Sequence, residues 1–236
     1  DWLSVASLKK KSTISSTKFQ SGRSTKMEKI IKQILKMPYH QNYAARSGKV
    51  HNVANHEEAV EDILNQHNLS QVERKVKKSE RDAWLSGEVD DVADETYISQ
   101  PCGTHDSPDF IVKTGGRLYF IECKSVTKEG TPIYNSGLPK KDYIYVFSSK
   151  KYDETTVYLG KDVAGDAVAM ILEQANQEIK ARCNEVTRQL REMGENTHGL
   201  GIYARPMYQH YGSSAKKDYF KNSRRKELEQ NVLDFV

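Results

Sequence analysis

At 236 residues, with 29% charged side chains and a mean hydropathy of −0.74, the chain is long enough for one sizeable core. It has no apolar run near the roughly 18–20 residues a membrane span needs. The net charge of +4 is unevenly spread: residues 1–50 hold eleven Lys/Arg against two acids, residues 51–107 thirteen acids against five cations, and residues 205–236 seven cations against four acids. Basic ends around an acidic middle predict a polyanionic partner.

The opening "DWLSVASLKKKSTISSTKF" has no apolar segment leading to a cleavage site, which predicts no secretion; its lack of Met predicts a trimmed chain. The three cysteines, Cys102, Cys123 and Cys183, are odd in number and far apart, as expected of reduced thiols in the cytoplasm. Residues 7–26 are rich in Ser, Thr and Lys and read as a mobile arm. "MEKIIKQILKM" then sets Met27, Ile30, Ile31, Ile34 and Leu35 at helical spacing. After a loop, "NHEEAVEDILNQHNL" predicts a helix capped by Asn55, with acids in its first turn and Val60, Ile63 and Leu64 on one face. "SQVERKVKKSERDAWL" opens with Ser70 and Glu73 at capping-box spacing and predicts another helix.

Strand signals follow at 107–125, 142–149 and 155–160. A long helix is predicted over about 164–193, from Val168, Ile171, Leu172, Ala175, Ile179, Cys183, Val186 and Leu190. "GLGIYARP" (199–206) reads as one more strand, and the tail is basic and then amphipathic. Together these predict a mixed α/β domain around a modest sheet.

The informative stretch is "SPDFIVKTGGRLYFIECKS". A Gly-Gly turn between two strands fixes the register, because both residues can take positive φ. Thr114 then faces Arg117, and pairing outward from the turn sets Asp109 opposite Glu122. One face carries Asp109, Ile111, Phe120, Glu122 and Lys124; the other carries Phe110, Val112, Tyr119, Ile121 and Cys123. Both faces are apolar in the middle, as in a strand covered on two sides. Two opposed carboxylates repel, so a proton or a cation must compensate. Mg²⁺ suits such a pair, with water and phosphate oxygens completing its shell. Lys124 then lies where an ammonium can hold a water molecule. These are the parts that metal-assisted phosphodiester hydrolysis requires.

Pro108-Asp109, followed after an apolar hairpin by Glu122-Cys123-Lys124, resembles the signature of the PD-(D/E)XK nuclease superfamily, which includes most type II restriction endonucleases. The resemblance covers about 18 residues. It implies a restriction-endonuclease-like αβββαβ core with a mixed central sheet flanked by helices, here with an added N-terminal helical segment. It also implies that Asp109, Glu122 and the backbone carbonyl of Cys123 ligate Mg²⁺, and that Lys124 acts on the attacking water. Members often carry another acid on a preceding helix; Glu57 matches, with Glu58 as the alternative. The expected organisation is a basic arm and helix over 1–50, a nuclease core over 51–204, and a basic C-terminal extension of the same domain over 205–236.

Other motifs fall short. Gly201-Ile202-Tyr203 and Tyr211-Gly212 echo GIY-YIG nucleases without the second motif's Ile. "CGTH" (102–105) lacks a second ligand pair for zinc, and "HNVANH" lacks the surroundings of an HNH motif. Candidate DNA contacts are Lys128, Asn135, Ser136, Lys140 and Lys141 in the loop after Lys124. A second group comprises Arg205, Gln209, His210, Lys216, Lys217, Arg224 and Arg225. The resulting expectation is a Mg²⁺-dependent endonuclease cutting double-stranded DNA at a short specific site, as a cytoplasmic homodimer. A structure-selective nuclease and a non-catalytic DNA-binding protein on a nuclease scaffold are the alternatives.

Overall fold

A computed structural model of the chain describes residues 24–39, 52–87, 90–103, 106–135, 137–195, 198–210 and 218–236. Nearly all of the predicted arm and of the loop before residue 52 lies outside these residues, as do Thr104, His105, Ser136, Tyr211, Gly212, Lys216 and Lys217. None of the helices described is long and apolar enough to cross a membrane.

The architecture is α/β, with a six-stranded mixed sheet flanked by helices. Helix α1 (Lys26–Ile34) starts at Thr25, whose hydroxyl accepts from Glu28 N at 3.0 Å, and buries Met27, Ile30, Ile31 and Ile34 as predicted. Helix α2 (Asn52–Gln66) begins three residues before the expected cap. Asn55 is therefore inside the helix, and Glu57 and Glu58 lie beyond its first turn. The capping box is also overturned. Ser70–Gln71 forms a short strand, β1, and helix α3 (Lys78–Ser86) starts later and stops at Gly87. Pairing with a distant strand outweighs the local capping signal there.

Strand β2 (Thr96–Ser99), absent from the sequence reading, pairs parallel with β1 and antiparallel with β3 (Phe110–Thr114). The Gly115-Gly116 turn, with φ of 60° and 73°, joins β3 to β4 (Arg117–Val126). The observed register runs from Thr114↔Arg117 to Phe110↔Ile121, as the turn predicted. A short β5 (Ile133–Tyr134) lies in the crossover to β6 (Tyr143–Ser149), which runs parallel to β4. β7 (Glu154–Leu159) closes the order β1-β2-β3-β4-β6-β7.

Both faces of the sheet are covered. One packs Phe110, Val112, Tyr119, Ile121, Cys123, Ile144 and Val146 against α1, α2 and Val232. The other packs Ile98, Ile111, Phe120, Tyr143, Tyr145, Phe147 and Tyr158 with Trp84, Tyr134 and Tyr219. Val232 and Leu228 belong to α6 (Arg225–Phe235), so the C-terminal helix contributes to the core under β7.

Helix α4 (Gly160–Val163) is one turn and precedes α5 (Asp166–Glu192). The helix is formed as its spacing predicts, but its apolar residues do not make a buried stripe. Val168, Ile171 and Ile179 are 51%, 65% and 48% exposed, because α1, α2, α3 and α6 already occupy the sheet. The predicted strand over 199–206 is likewise absent: that segment returns along α5, where Thr187 Oγ1 accepts from Ile202 N at 3.1 Å. Only Tyr208–Gln209, β8, reaches a strand partner, β5.

Gly160 fixes how α4 meets the 138–141 loop. A Cβ at that position would lie 1.9 Å from the Lys140 carbonyl oxygen. Gly160→Ala is therefore expected to lower unfolding free energy by about 1–3 kcal/mol, the usual cost of forced overpacking. Chemical denaturation monitored by circular dichroism checks this.

Candidate active site

The β3–β4 ladder ends at the two acids. Asp109 N donates to Ile121 O at 3.0 Å, while Asp109 O is taken by Gln100 N at 2.7 Å. With its carbonyl used by Gln100, Asp109 reaches β4 through its carboxylate: Oδ2 accepts from Cys123 N at 2.6 Å. The side chain thus supplies the rung that the main chain does not, beside Glu122. Glu122 is 5% exposed, and its Oε1 accepts from Lys124 Nζ at 2.6 Å. Its other oxygen, Oε2, is buried with no hydrogen-bond partner among the described residues.

Glu57 arrives from α2. Gln100 Nε2 donates to Glu57 Oε2 at 2.5 Å and to Asp109 Oδ1 at 3.2 Å, so one amide ties the two acids together. Gln100 holds a left-handed backbone, φ 47°, a conformation costly for a non-glycine residue. Next to Glu57, buried His56 lies against β6, with Nε2 3.3 Å from Val146 O and Nδ1 3.2 Å from Ser148 Oγ. Those contacts position α2 and thereby Glu57. Sequence reasoning missed both Gln100 and His56. Gln100 carries no motif, and His56 was weighed only as part of an HNH echo; their partners lie far away in the chain.

The structure therefore brings Glu57, Asp109, Glu122 and Lys124, the four residues expected to act, close to one another, with Gln100 joining Glu57 to Asp109 and Lys124 paired with Glu122. Glu58 sits one residue further along α2 and is half-buried. Burial, and next the nearby Asp109 charge, push the Glu57 carboxyl up to about 8 against the relief given by Gln100 and Lys124. Burial and then Asp109 raise Glu122 to about 7, opposed by Lys124. Asp109 is also raised by burial, against the Cys123 amide, Lys124 and Gln100. Desolvation is thus the larger cause, and repulsion between acids adds to it. The Cys123 thiol, fully buried, is pushed far up and is not a nucleophile.

The candidate DNA contacts fall into separate patches. Lys128 shares a surface cleft with Lys150 and Lys151. Lys140 and Lys141 are exposed, and Lys141 pairs with Asp166 at 3.1 Å. Arg205 Nε donates to Asn135 O at 3.1 Å across another cavity. Gln209 is exposed on β8, whereas His210 packs near the Tyr134 and Tyr219 rings. Arg224 pairs with Glu227. Arg225 pairs with Glu154 and Glu229 and stacks over Phe220, which ties it to the fold.

No family model, no curated protein and no solved structure matches this chain. The reading of the site consequently rests on its own geometry.

A divalent cation has partial support in this arrangement. The described residues contain no group of three or more His, Cys, Asp and Glu that could hold a metal ion. Nevertheless the buried, unpartnered Glu122 Oε2 stands among acids whose charged forms are disfavoured, which is the electrostatic setting a cation relieves. Two carboxylates suffice where water and phosphate oxygens supply the remaining positions.

The raised carboxyl pKa values have a thermodynamic sign. A group that binds its proton more tightly when folded stabilises below its unfolded pKa, and loses that contribution as pH rises through the folded pKa. Without added metal, melting temperature should fall from about pH 4.5 to about pH 8, the interval set by Glu57 and Glu122. Glu57→Gln should flatten this slope. Thermal scans of both proteins across that interval, in a chelator, check it.

Proposed function

We propose that the protein is a Mg²⁺-dependent endonuclease that hydrolyses phosphodiester bonds of double-stranded DNA at a short specific sequence, in the manner of a type II restriction enzyme. The observation that carries this reading is the convergence of Asp109, Glu122 and Lys124 at the open end of one hairpin, with Glu57 bound to Asp109 through Gln100. A surface cluster of acids would lie in water, whereas Glu122 is 5% exposed.

In this reading Asp109, Glu122 and the Cys123 carbonyl would hold Mg²⁺, which would supply charge neutralisation for the scissile phosphate and make water more acidic. Lys124, which pairs with Glu122 in the structure, would donate to the attacking water and orient it. Gln100 keeps Asp109 and Glu57 in place through the amide they share. Glu57, held protonated near neutrality by burial, is positioned to exchange a proton within the site.

Asp109→Ala, Glu122→Ala and Lys124→Ala should each lower Mg²⁺-dependent plasmid cleavage by at least about 100-fold, the scale of losing a key electrostatic group. Binding of DNA in a chelator should persist. Discrete fragments with constant ends are the expected product. Cleavage confined to branched DNA would replace sequence recognition with structure recognition. DNA binding with no cleavage in Mg²⁺ or Mn²⁺ would leave a non-catalytic binder.

Cutting both strands calls for two centres, and we assign the second to another copy of the chain, docked through the solvent side of α5. Val168, Ile171, Ala175 and Ile179 are exposed there at helical spacing. The first half of α5 carries Asp166, Glu173 and Glu178 with no cation. The second half carries Arg182, Arg188 and Arg191 against Glu185 and Glu192, besides Lys180, which lines the neighbouring cavity. An antiparallel copy therefore sets acidic half against basic half, a self-complementary contact. Light scattering should give a dimer for the full chain and a monomer for Ile171→Glu.

A further inference from the structure

We propose that the cavity between α5 and residues 203–208 binds a single nucleotide unit, with its phosphate on Arg205 and Lys180, its base edge on Asn176 and its ring face against Tyr203. The cavity measures about 440 Å³, within the range of small-molecule sites, and Asp106, three residues before Asp109, forms part of its wall.

Asn176 is the first observation. It is the one buried residue of α5, 8% exposed on a helix whose Val168, Ile171 and Ile179 face solvent. Its Oδ1 has no hydrogen-bond partner among the described residues. A buried amide oxygen without a donor is disfavoured in an unliganded protein and calls for an N–H from a bound molecule.

Tyr208 is the second observation. Its hydroxyl is buried and unpartnered among the described residues, and it lines the same cavity. Charge and shape define the rest of the ligand. Arg205 and Lys180 line the cavity with a single acid, Asp106, so two cations face one carboxylate and the site favours an anion. Tyr203, 83% exposed at the same cavity, offers a ring face. An anion joined to a flat ring with an N–H edge is the chemistry of a nucleotide. An inorganic phosphate would satisfy the cations and leave Asn176 and Tyr203 unused.

This inference rests on the nuclease reading only for the source of the unit, a base extruded from DNA instead of a free nucleotide. The test is calorimetric titration of the full chain, in a chelator, with each deoxynucleoside monophosphate and with inorganic phosphate. Saturable binding of at least one monophosphate is expected, at least tenfold tighter than phosphate and weakened at least tenfold by Asn176→Leu and by Arg205→Ala. Circular dichroism verifies that Asn176→Leu folds; exposed Arg205 and Tyr203 provide the test if it does not. Absence of binding, equal affinity for phosphate, or unchanged affinity in Arg205→Ala overturns the proposal.

A DNA duplex carrying 2-aminopurine separates the sources. A fluorescence rise on binding, in the unaltered chain or in Tyr203→Leu where no ring quenches the extruded base, assigns the pocket to DNA; a flat signal in both, with monophosphate binding retained, assigns it to free nucleotides. Plasmid cleavage is scored separately. Nucleotide binding without cleavage keeps the pocket and removes the nuclease reading, and cleavage without nucleotide binding does the reverse.

Discussion

Carboxyl groups taken out of water at the end of the β3–β4 hairpin are the constraint around which the described fold is arranged. A sheet covered on both faces leaves its strand ends as the place where polar groups can gather. Asp109 and Glu122 stand at such an end, and the apolar residues between them and the turn fill the two cores. The neighbours then act as supports. The Cys123 amide holds Asp109, Lys124 holds Glu122, and the left-handed Gln100 bridges Asp109 to Glu57.

The order of causes alters how the cluster is understood. Opposed charges alone would make the hairpin ends repel, which was the expectation from register. In the folded chain, burial raises all three carboxyls first, with the Asp109 charge second at Glu57 and Glu122. If the proposed metal binds, a proton and a cation would compete for the same oxygens. Lys124 neutralises one oxygen of Glu122, while the other has no partner among the described residues. A site of this kind is poised for a ligand that brings positive charge and oxygen partners together.

What was legible in the sequence was local. The Gly-Gly turn dictates its own register, so the facing of Phe110 with Ile121 followed from counting. Asp109 lies one residue outside that ladder and meets β4 through Ile121 O and Cys123 N instead of in the expected pair with Glu122. Glu57 was legible as an acid on a helix before the strands. Gln100 and His56 were hidden because their meaning lies in partners such as Glu57 and Val146, 43 and 90 residues away. Helical periodicity located α5 but carried no information on what would cover it, since α1, α2 and α6 had already closed the sheet. The Ser70–Glu73 signal failed for a related reason: β1 exists only because β2 is there to pair with it.

The central claim is that a divalent cation replaces protons on buried carboxyls at this site. Calorimetric titration with Mg²⁺ near pH 7, repeated in buffers of different ionisation enthalpy, counts the protons released as the ion binds. Saturable binding with release of about one proton, reduced in Glu57→Gln and lost with binding in Asp109→Asn, is the predicted result. Binding without proton release, or unchanged binding in Asp109→Asn, would contradict the account.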